Sequence, residues 1–155
     1  MMRKLGLELI VFAVLLSACK TPEGPRLPLP PQDLAINVPD GYARVVFFND
    51  STEALYPSSG NIRIQLDGKT APSLYLNHYS QLFLSPGRYE LLLEHWDVFT
   101  FTDEYEIEIR EPDTFIRIWC SPISTKHEIV ESLPADFDQR FIGGRDLTKW
   151  PPFVP

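Results

Sequence analysis

The sequence has little histidine and cysteine, the residues from which most zinc sites are built. Its 155 residues include two cysteines and three histidines. The histidines, His78, His95 and His127, fall on different predicted segments and lack the spacing of zinc ligands. We interpret them as solvated or hydrogen-bonded side chains, and we expect neither a metal nor a cofactor.

Long apolar runs are also missing. The longest run, residues 5–16, is shorter than the roughly 20 apolar residues that a membrane-spanning helix needs. No later segment approaches that length. We therefore expect no permanent membrane span in the processed protein.

Familiar catalytic motifs are absent as well. The chain lacks the nucleophile elbow, the metalloprotease helix and the phosphate-binding glycine loop. Glu104, Glu106 and Glu108 suggest a calcium ligand set, but alternate carboxylates on one strand stand about 6.6 to 7 Å apart. That spacing is too wide for a single ion without a loop. We interpret the row as a solvated sheet face, and we expect no catalytic residue and no enzymatic activity.

The N-terminus has the layout of a signal peptide, with Arg3 and Lys4 ahead of the apolar run. The run ends in Leu16-Ser17-Ala18-Cys19, which resembles the lipobox of bacterial lipoproteins. The resemblance implies cleavage before Cys19 and attachment of a diacylglyceryl group to its thiol, which would anchor the chain in a membrane. An ordinary secretory signal followed by a coincidental cysteine is the alternative.

The residue after the lipidated cysteine bears on localisation. In the enterobacterial sorting pattern, which this region resembles, aspartate at that place retains a lipoprotein at the inner membrane. Lys20 therefore favours a cell-envelope location at the outer membrane, facing the periplasm.

Loss of residues 1–18 removes two positive side chains and one negative, so the formal charge moves from −7 to −8. Such an acidic chain is a poor partner for nucleic acid.

Composition divides the chain into four segments. Residues 1–18 are the lipoprotein signal peptide, and residues 19–41 are the lipidated cysteine with a proline-rich linker. Residues 42–133 are a β-sandwich domain, and residues 134–155 are a tail rich in proline and aromatic residues. Densely spaced prolines disfavour helix and sheet pairing and favour an extended polyproline II stalk.

The domain segment has short runs of β-branched and aromatic residues separated by turn residues, which predicts an all-β fold. We expect a single antiparallel β-sandwich, immunoglobulin-like or transthyretin-like, of about seven to eight strands. The clearest alternation sets Tyr105, Ile107 and Ile109 against the glutamate row. Asp67-Gly68 and Ser85-Pro86-Gly87 are predicted turns. The predicted strands are residues 42–48, 61–66, 74–76, 81–84, 88–95, 99–110, 114–120 and 127–133.

One strand offers a candidate binding patch. Phe115, Arg117 and Trp119 share one face of it, opposite Ile116, Ile118 and Cys120. Together with Trp96, these side chains either stack on a sugar or a partner, or simply pack in the domain. Cys120 is either a redox or intermolecular site or, as we favour, a small buried residue.

The tail holds two further candidates, Trp150 and Phe153, in the sequence Trp150-Pro151-Pro152-Phe153. Exposure of so much apolar surface at a chain end is disfavoured. We expect these aromatics to dock, either on the sandwich itself or on another protein.

A family resemblance supports the fold. Asp67-Gly68-Lys69 and Leu84-Ser85-Pro86-Gly87-Arg88-Tyr89 resemble small bacterial envelope domains of the PEGA and carboxypeptidase-regulatory kind. Ala43-Arg44-Val45 resembles the opening strand of uncharacterised lipoprotein domains. These families imply a transthyretin-like sandwich without known catalytic residues. We therefore expect a membrane-anchored, non-enzymatic structural or interaction module with an envelope protein partner, or alternatively a periplasmic glycan- or peptide-binding domain.

Overall fold

The computed structural model describes residues 33–52, 61–96, 99–121 and 123–143, apart from the side chain of Trp96. The predicted lipidation motif, the sorting residue Lys20 and the tail residues Trp150 and Phe153 lie outside these ranges.

The described residues form two sheets. The elements are β1 (Ala43–Asn49), β2 (Ile62–Leu66), β3 (Lys69–Thr70), β4 (His78–Leu84), β5 (Gly87–Trp96), β6 (Thr100–Ile109), β7 (Asp113–Ser121), β8 (Ser124–Val130), α1 (Phe137–Arg140) and β9 (Ile142–Gly143). One sheet has five strands in the order β8-β7-β1-β4-β9, and the other has four in the order β3-β2-β5-β6. The predicted all-β sandwich is therefore confirmed, with nine strands among the described residues.

Side chains that alternate along the strands fill the space between the sheets. In β6, Ile107 and Ile109 are buried while the glutamates between and before them are exposed, as the sequence pattern predicts. β2 and β7 alternate in the same way. Each large aliphatic side chain buried here contributes roughly 1.5 to 3 kcal/mol to folding. The core cluster includes Val45, Phe47, Ile62, Ile64, Leu66, Leu82, Leu91, Leu93, Ile107, Ile109, Ile116, Ile118 and Cys120.

Two strand pairs depart from the predicted antiparallel arrangement. β1 pairs in parallel with β7, and β9 pairs in parallel with β4. The turn at Ser85-Pro86 does not close a hairpin, because β4 and β5 belong to different sheets. It carries the chain from one sheet to the other, with Gly87 at a φ of +153°.

Some of the predicted turns and strands are confirmed and others are wrong. The Asp67-Gly68 turn is confirmed, with positive φ at both residues (48° and 71°), as a tight hairpin turn requires. The predicted strand at residues 74–76 is wrong, since only Leu74 forms an isolated bridge, to Ile62. β8 begins at Ser124, earlier than predicted, and β3 and β9 were not predicted.

Both ends of the described chain cover the outer face of the five-stranded sheet. Phe137 and Phe141 pack on Val46 and Phe48, and Leu34 joins the same cluster. The ends are thus part of the folded unit, and the first residues of the predicted tail belong to the packed structure.

The N-terminal end is held by one guanidinium. Arg44 donates hydrogen bonds to the carbonyl oxygens of Leu34, at 2.6 Å, and Ile36, at 3.1 Å. Gln81 also donates to the carbonyl oxygen of Asp33. Residues 20–32 of the predicted linker lie outside the described residues.

Candidate functional site

β7 places the predicted patch on the outer face of the five-stranded sheet. Thr114, Ile116, Ile118 and Cys120 point into the core, and the residues between them are partly exposed. Phe115, Arg117 and Trp119 therefore share one face, as the alternation predicts. The side chain of the fourth predicted member, Trp96, lies outside the described residues.

Phe115 packs against other side chains of the outer sheet face. It lies against the outer cluster of Val46, Phe48, Phe137 and Phe141. Its neighbours across the sheet are Val46 on β1 and Val130 on β8. Of the two interpretations that the sequence left open, packing describes this residue.

Arg117 has a different environment, because it lies beyond the covered cluster and is 40% exposed. Its Nε and Nη2 atoms each lie 2.7 Å from Oδ2 of Asp50. Its Nη1 atom lies 3.7 Å from Oε2 of Glu128 on β8. The guanidinium carbon stands 5.1 Å from the ring centre of Trp119, within the range of a cation–π contact.

Asp50 joins this arginine to a second one. Its Oδ1 atom accepts a hydrogen bond from Nη2 of Arg140, at the end of α1. The Asp50 side chain is only 11% exposed, so both guanidinium contacts are shielded from water on the aspartate side. Arg140 also stands over the ring of Phe141, at 5.0 Å. One carboxylate thus ties α1 to β7.

A buried polar network fixes the backbone on either side of Asp50. The Ser51 hydroxyl donates to Oδ1 of Asn49 at 2.6 Å and accepts the backbone N–H of Cys120 at 2.9 Å. The Asp50 backbone N–H donates to the carbonyl oxygen of Ile118 at 2.8 Å. Since these groups are buried and satisfied, the carboxylate is presented in a fixed position.

These side chains form one surface, which we call the Arg117 surface: Asp50, Arg117, Trp119, Lys126, Glu128 and Arg140. Trp119 is half-buried and lies opposite the exposed Lys126 in the β7–β8 pairing. Arginine and tryptophan are enriched at the energetic centres of protein interfaces. The sequence pattern indicated Arg117 and Trp119 but gave no signal for Asp50 or Arg140, which are distant from β7 in the chain.

A second polar cluster lies where β5 faces β7 and β8, inside the sandwich. Nδ1 of His95 lies 2.6 Å from the Thr125 hydroxyl, and Sγ of Cys120 lies 3.9 Å from it. All three residues are buried, and Cys120 is 1% exposed. The prediction of a buried, core-packed cysteine is therefore confirmed.

Burial also shifts the pKa of two groups where β6 meets β8, a junction that we call the seam. It lowers the pKa of His127, whose ring packs 4.3 Å from that of Tyr105. It raises the pKa of Tyr105, and the Asp103 carboxylate adds to that effect. Both shifts favour the neutral side chain, as expected of groups that are partly buried.

The glutamate row behaves as a solvated face. Glu104, Glu106 and Glu108 are exposed, and the first two line a shallow depression of about 420 Å³ over β5 and β6. Glu106 lies 3.4 Å from Arg88, and Glu108 accepts hydrogen bonds from Arg110, which lowers its pKa. Within the described ranges, no three His, Cys, Asp or Glu side chains are grouped closely enough to hold a metal ion.

Comparisons with known proteins give no family. No protein-family model, no curated protein and no solved structure matches the chain. Among the described residues, no helix has the length and apolar character needed to cross a membrane.

Proposed function

We propose that this chain is a bacterial lipoprotein, lipidated at Cys19, whose β-sandwich is a non-enzymatic interaction module in the cell envelope. The motif Leu16-Ser17-Ala18-Cys19 and Lys20 support anchoring at the outer membrane, facing the periplasm. The proline-rich linker supports a domain held away from the lipid surface. The Arg117 surface is the site at which an envelope protein partner would bind.

One observation carries the choice of surface. Arg117 is held by Asp50 and stacked near Trp119, yet 40% of its side chain stays exposed. A guanidinium already fixed in place loses less conformational entropy on binding than a free one. The surface therefore offers a preorganised arginine beside an aromatic ring, a combination that suits a protein partner.

The burial of two potentially reactive side chains supports a non-enzymatic role. Cys120 and His95 are 1% and 5% exposed, so the thiol and the imidazole serve packing. The exposed carboxylates of β6 line an open, shallow depression rather than an enclosed pocket.

Site-specific photo-cross-linking in intact envelopes tests the proposal. A cross-linking residue at Lys126, beside Trp119, should capture a defined protein, and Trp119→Ala should reduce that product. The matched position is Glu106, which is 72% exposed on the opposite sheet and should give no such product. Identical products from both positions, or a Lys126 product indifferent to Trp119→Ala, would contradict the proposal.

A glycan- or peptide-binding role is the alternative, because Trp119 with Arg117 also suits a sugar ring or a peptide. It is less favoured because Phe115 packs against the outer cluster, which leaves Trp119 as the aromatic side chain within the Arg117 surface. Retention of the processed protein on isolated peptidoglycan, abolished by Trp119→Ala, would favour this alternative over a protein partner.

A further inference from the structure

The segment that follows β8 lies across the outer face of the five-stranded sheet. We call residues 134–143 the strap; it contains α1 and β9. Its two phenylalanines surround Phe48, with ring centres 5.6 Å (Phe137) and 5.2 Å (Phe141) away. They also stack on each other at 4.9 Å. The ring of Phe137 also lies 5.1 Å from that of Tyr79 on β4, so aromatic contacts attach the strap to the sheet, together with the Arg140–Asp50 ion pair and β9.

Most of the strap's backbone hydrogen bonds are internal. Phe137 donates to Pro134, Arg140 to Asp136, and Phe141 to Phe137. Towards the sheet, Ile142 donates to the carbonyl oxygen of Asn77 at 2.9 Å, and β9 pairs with β4 over two residues. Detachment would remove the two-residue edge strand β9 from the five-stranded sheet but would leave the pairing of its other four strands, and the whole second sheet, unchanged.

Detachment would also leave no buried charge without a partner. Asp50 binds Arg140 through Oδ1 and Arg117 through Oδ2. When the strap leaves, Asp50 keeps Arg117, whose two nitrogen atoms lie 2.7 Å from it. The large penalty for an unpaired buried carboxylate is therefore avoided.

The strap covers apolar side chains next to the Arg117 surface. Val46 and Phe48 are 0% and 1% exposed beneath it, and Phe115 lies beside them. Removal of the strap would extend the Arg117 surface into an apolar strip ending at Asp50. The strap itself shows what fits this strip: two aromatic rings one helical turn apart and a guanidinium for Oδ1 of Asp50.

We propose that the strap is an autoinhibitory cover, which opens while the sandwich stays folded and gives way to a partner segment of the same chemistry. That segment would carry aromatic residues three or four positions apart with a basic residue between or beside them. The identity of the occupant rests on the proposed function, whereas the opening of the strap does not require any partner.

Hydrogen exchange on the full-length processed protein in detergent tests the opening. The amide of Ile142 should exchange faster than the amides of Ile116 and Ile118 in the core. Arg140→Gln should speed the Ile142 exchange by about two- to fivefold, which is the scale of a partly exposed ion pair. Arg63→Gln, which removes an exposed ion pair with Glu94 on the other sheet, should leave it unchanged. Equal protection of Ile142 and the core amides would overturn the opening.

A peptide added in trans tests the occupant. The strap sequence PADFDQRFIG should bind the Arg140→Gln protein about two- to fivefold more tightly than the unaltered protein, because the apparent affinity follows the fraction of open molecules. It should bind the Phe141→Ala protein more tightly still, because that variant also loses a ring contact with Phe48. The same peptide with glutamine for arginine, or alanine for both phenylalanines, should not bind. If the strap opens by hydrogen exchange but the peptide binds no variant, the occupant is wrong and the opening stands. If the peptide binds but envelope cross-linking at Lys126 captures no protein, the proposed function fails and the strap remains.

Discussion

The Tyr105 hydroxyl donates a hydrogen bond to the carbonyl oxygen of Thr125 at 2.6 Å, and this bond joins the two sheets at one edge. The carboxylate of Asp103 accepts the backbone N–H of the same threonine at 2.5 Å. β8 is an edge strand of its sheet. Two β6 side chains therefore take both backbone groups of Thr125, which reduces the capacity of this edge to pair with another strand.

Replacement of Tyr105 by Phe should destabilise the domain by about 1 kcal/mol, because the Thr125 carbonyl loses its donor. For a domain of this size, that lowers the melting temperature by roughly 4 to 8 °C. Tyr42→Phe is the control, since Tyr42 is 46% exposed and should tolerate the change. Thermal unfolding of the processed protein compares the two variants. Equal effects would show that the hydrogen bond from Tyr105 to Thr125 does not contribute to stability.

Acid should weaken the same seam through His127. Its folded-state pKa is lowered by burial, so the unfolded chain takes up a proton at higher pH than the folded chain. This contribution to stability is complete above about pH 6.5, the unfolded value, and is lost as the pH falls towards the folded-state pKa. His127→Gln should flatten the fall in melting temperature between about pH 7.5 and 5.5. An unchanged slope in the variant would contradict this assignment.

The two faces of β6 give a direct test of the core. Ile107 is 2% exposed, so Ile107→Asp buries an unpaired charge and should cost several kcal/mol, enough to unfold a domain of ordinary stability. Glu106→Lys lies on the open face and should change stability by less than about 0.5 kcal/mol. Denaturant unfolding of the two variants compares the faces, and similar losses would mean that they are misassigned.

The sequence predicts these faces because alternation is a property of a single strand. Ile107 and Glu106 are assigned correctly from their neighbours in β6. The parallel pairing of β1 with β7 has no such signal, since parallel neighbours cannot be joined by a tight hairpin. The turn at Ser85-Pro86 is visible in the sequence, but whether it closes a hairpin or crosses between sheets depends on tertiary packing.

The candidate site, like the fold, contains some residues that the sequence predicts and others that it does not. Arg117 and Trp119 follow from alternation in β7, which sets them opposite the core residues. Their organising residue, Asp50, is 67 positions from Arg117 and 90 from Arg140. A lone aspartate after a strand looks like any loop residue. Phe115 packs against a cluster that includes Phe137 of α1, a four-residue helix too short to leave a periodic pattern.

The anchor is tested at Cys19, because the thiol is the atom that the lipobox resemblance assigns to the lipid. Cys19→Ser should abolish incorporation of labelled palmitate and yield an uncleaved or soluble product. Two or more acyl chains are needed for stable membrane binding, so loss of the attachment atom should release the protein. Undiminished labelling, together with unchanged recovery in the membrane fraction, would contradict the lipoprotein assignment.

Truncation separates the strap from the chain beyond it. Deletion of residues 134–155 removes Phe137 and Phe141 and uncovers Phe48, so it should destabilise the domain by several kcal/mol. Deletion of residues 148–155 leaves the strap intact and removes Trp150 and Phe153. We expect the shorter deletion to lower the melting temperature by a few degrees, because prolines limit the entropy lost when a short segment docks on its own domain. Unchanged stability with loss of a specific envelope cross-link would instead place those aromatics on a partner. If stability, cross-links and membrane localisation all persist, Trp150 and Phe153 dock on neither, and the prediction that they dock is wrong.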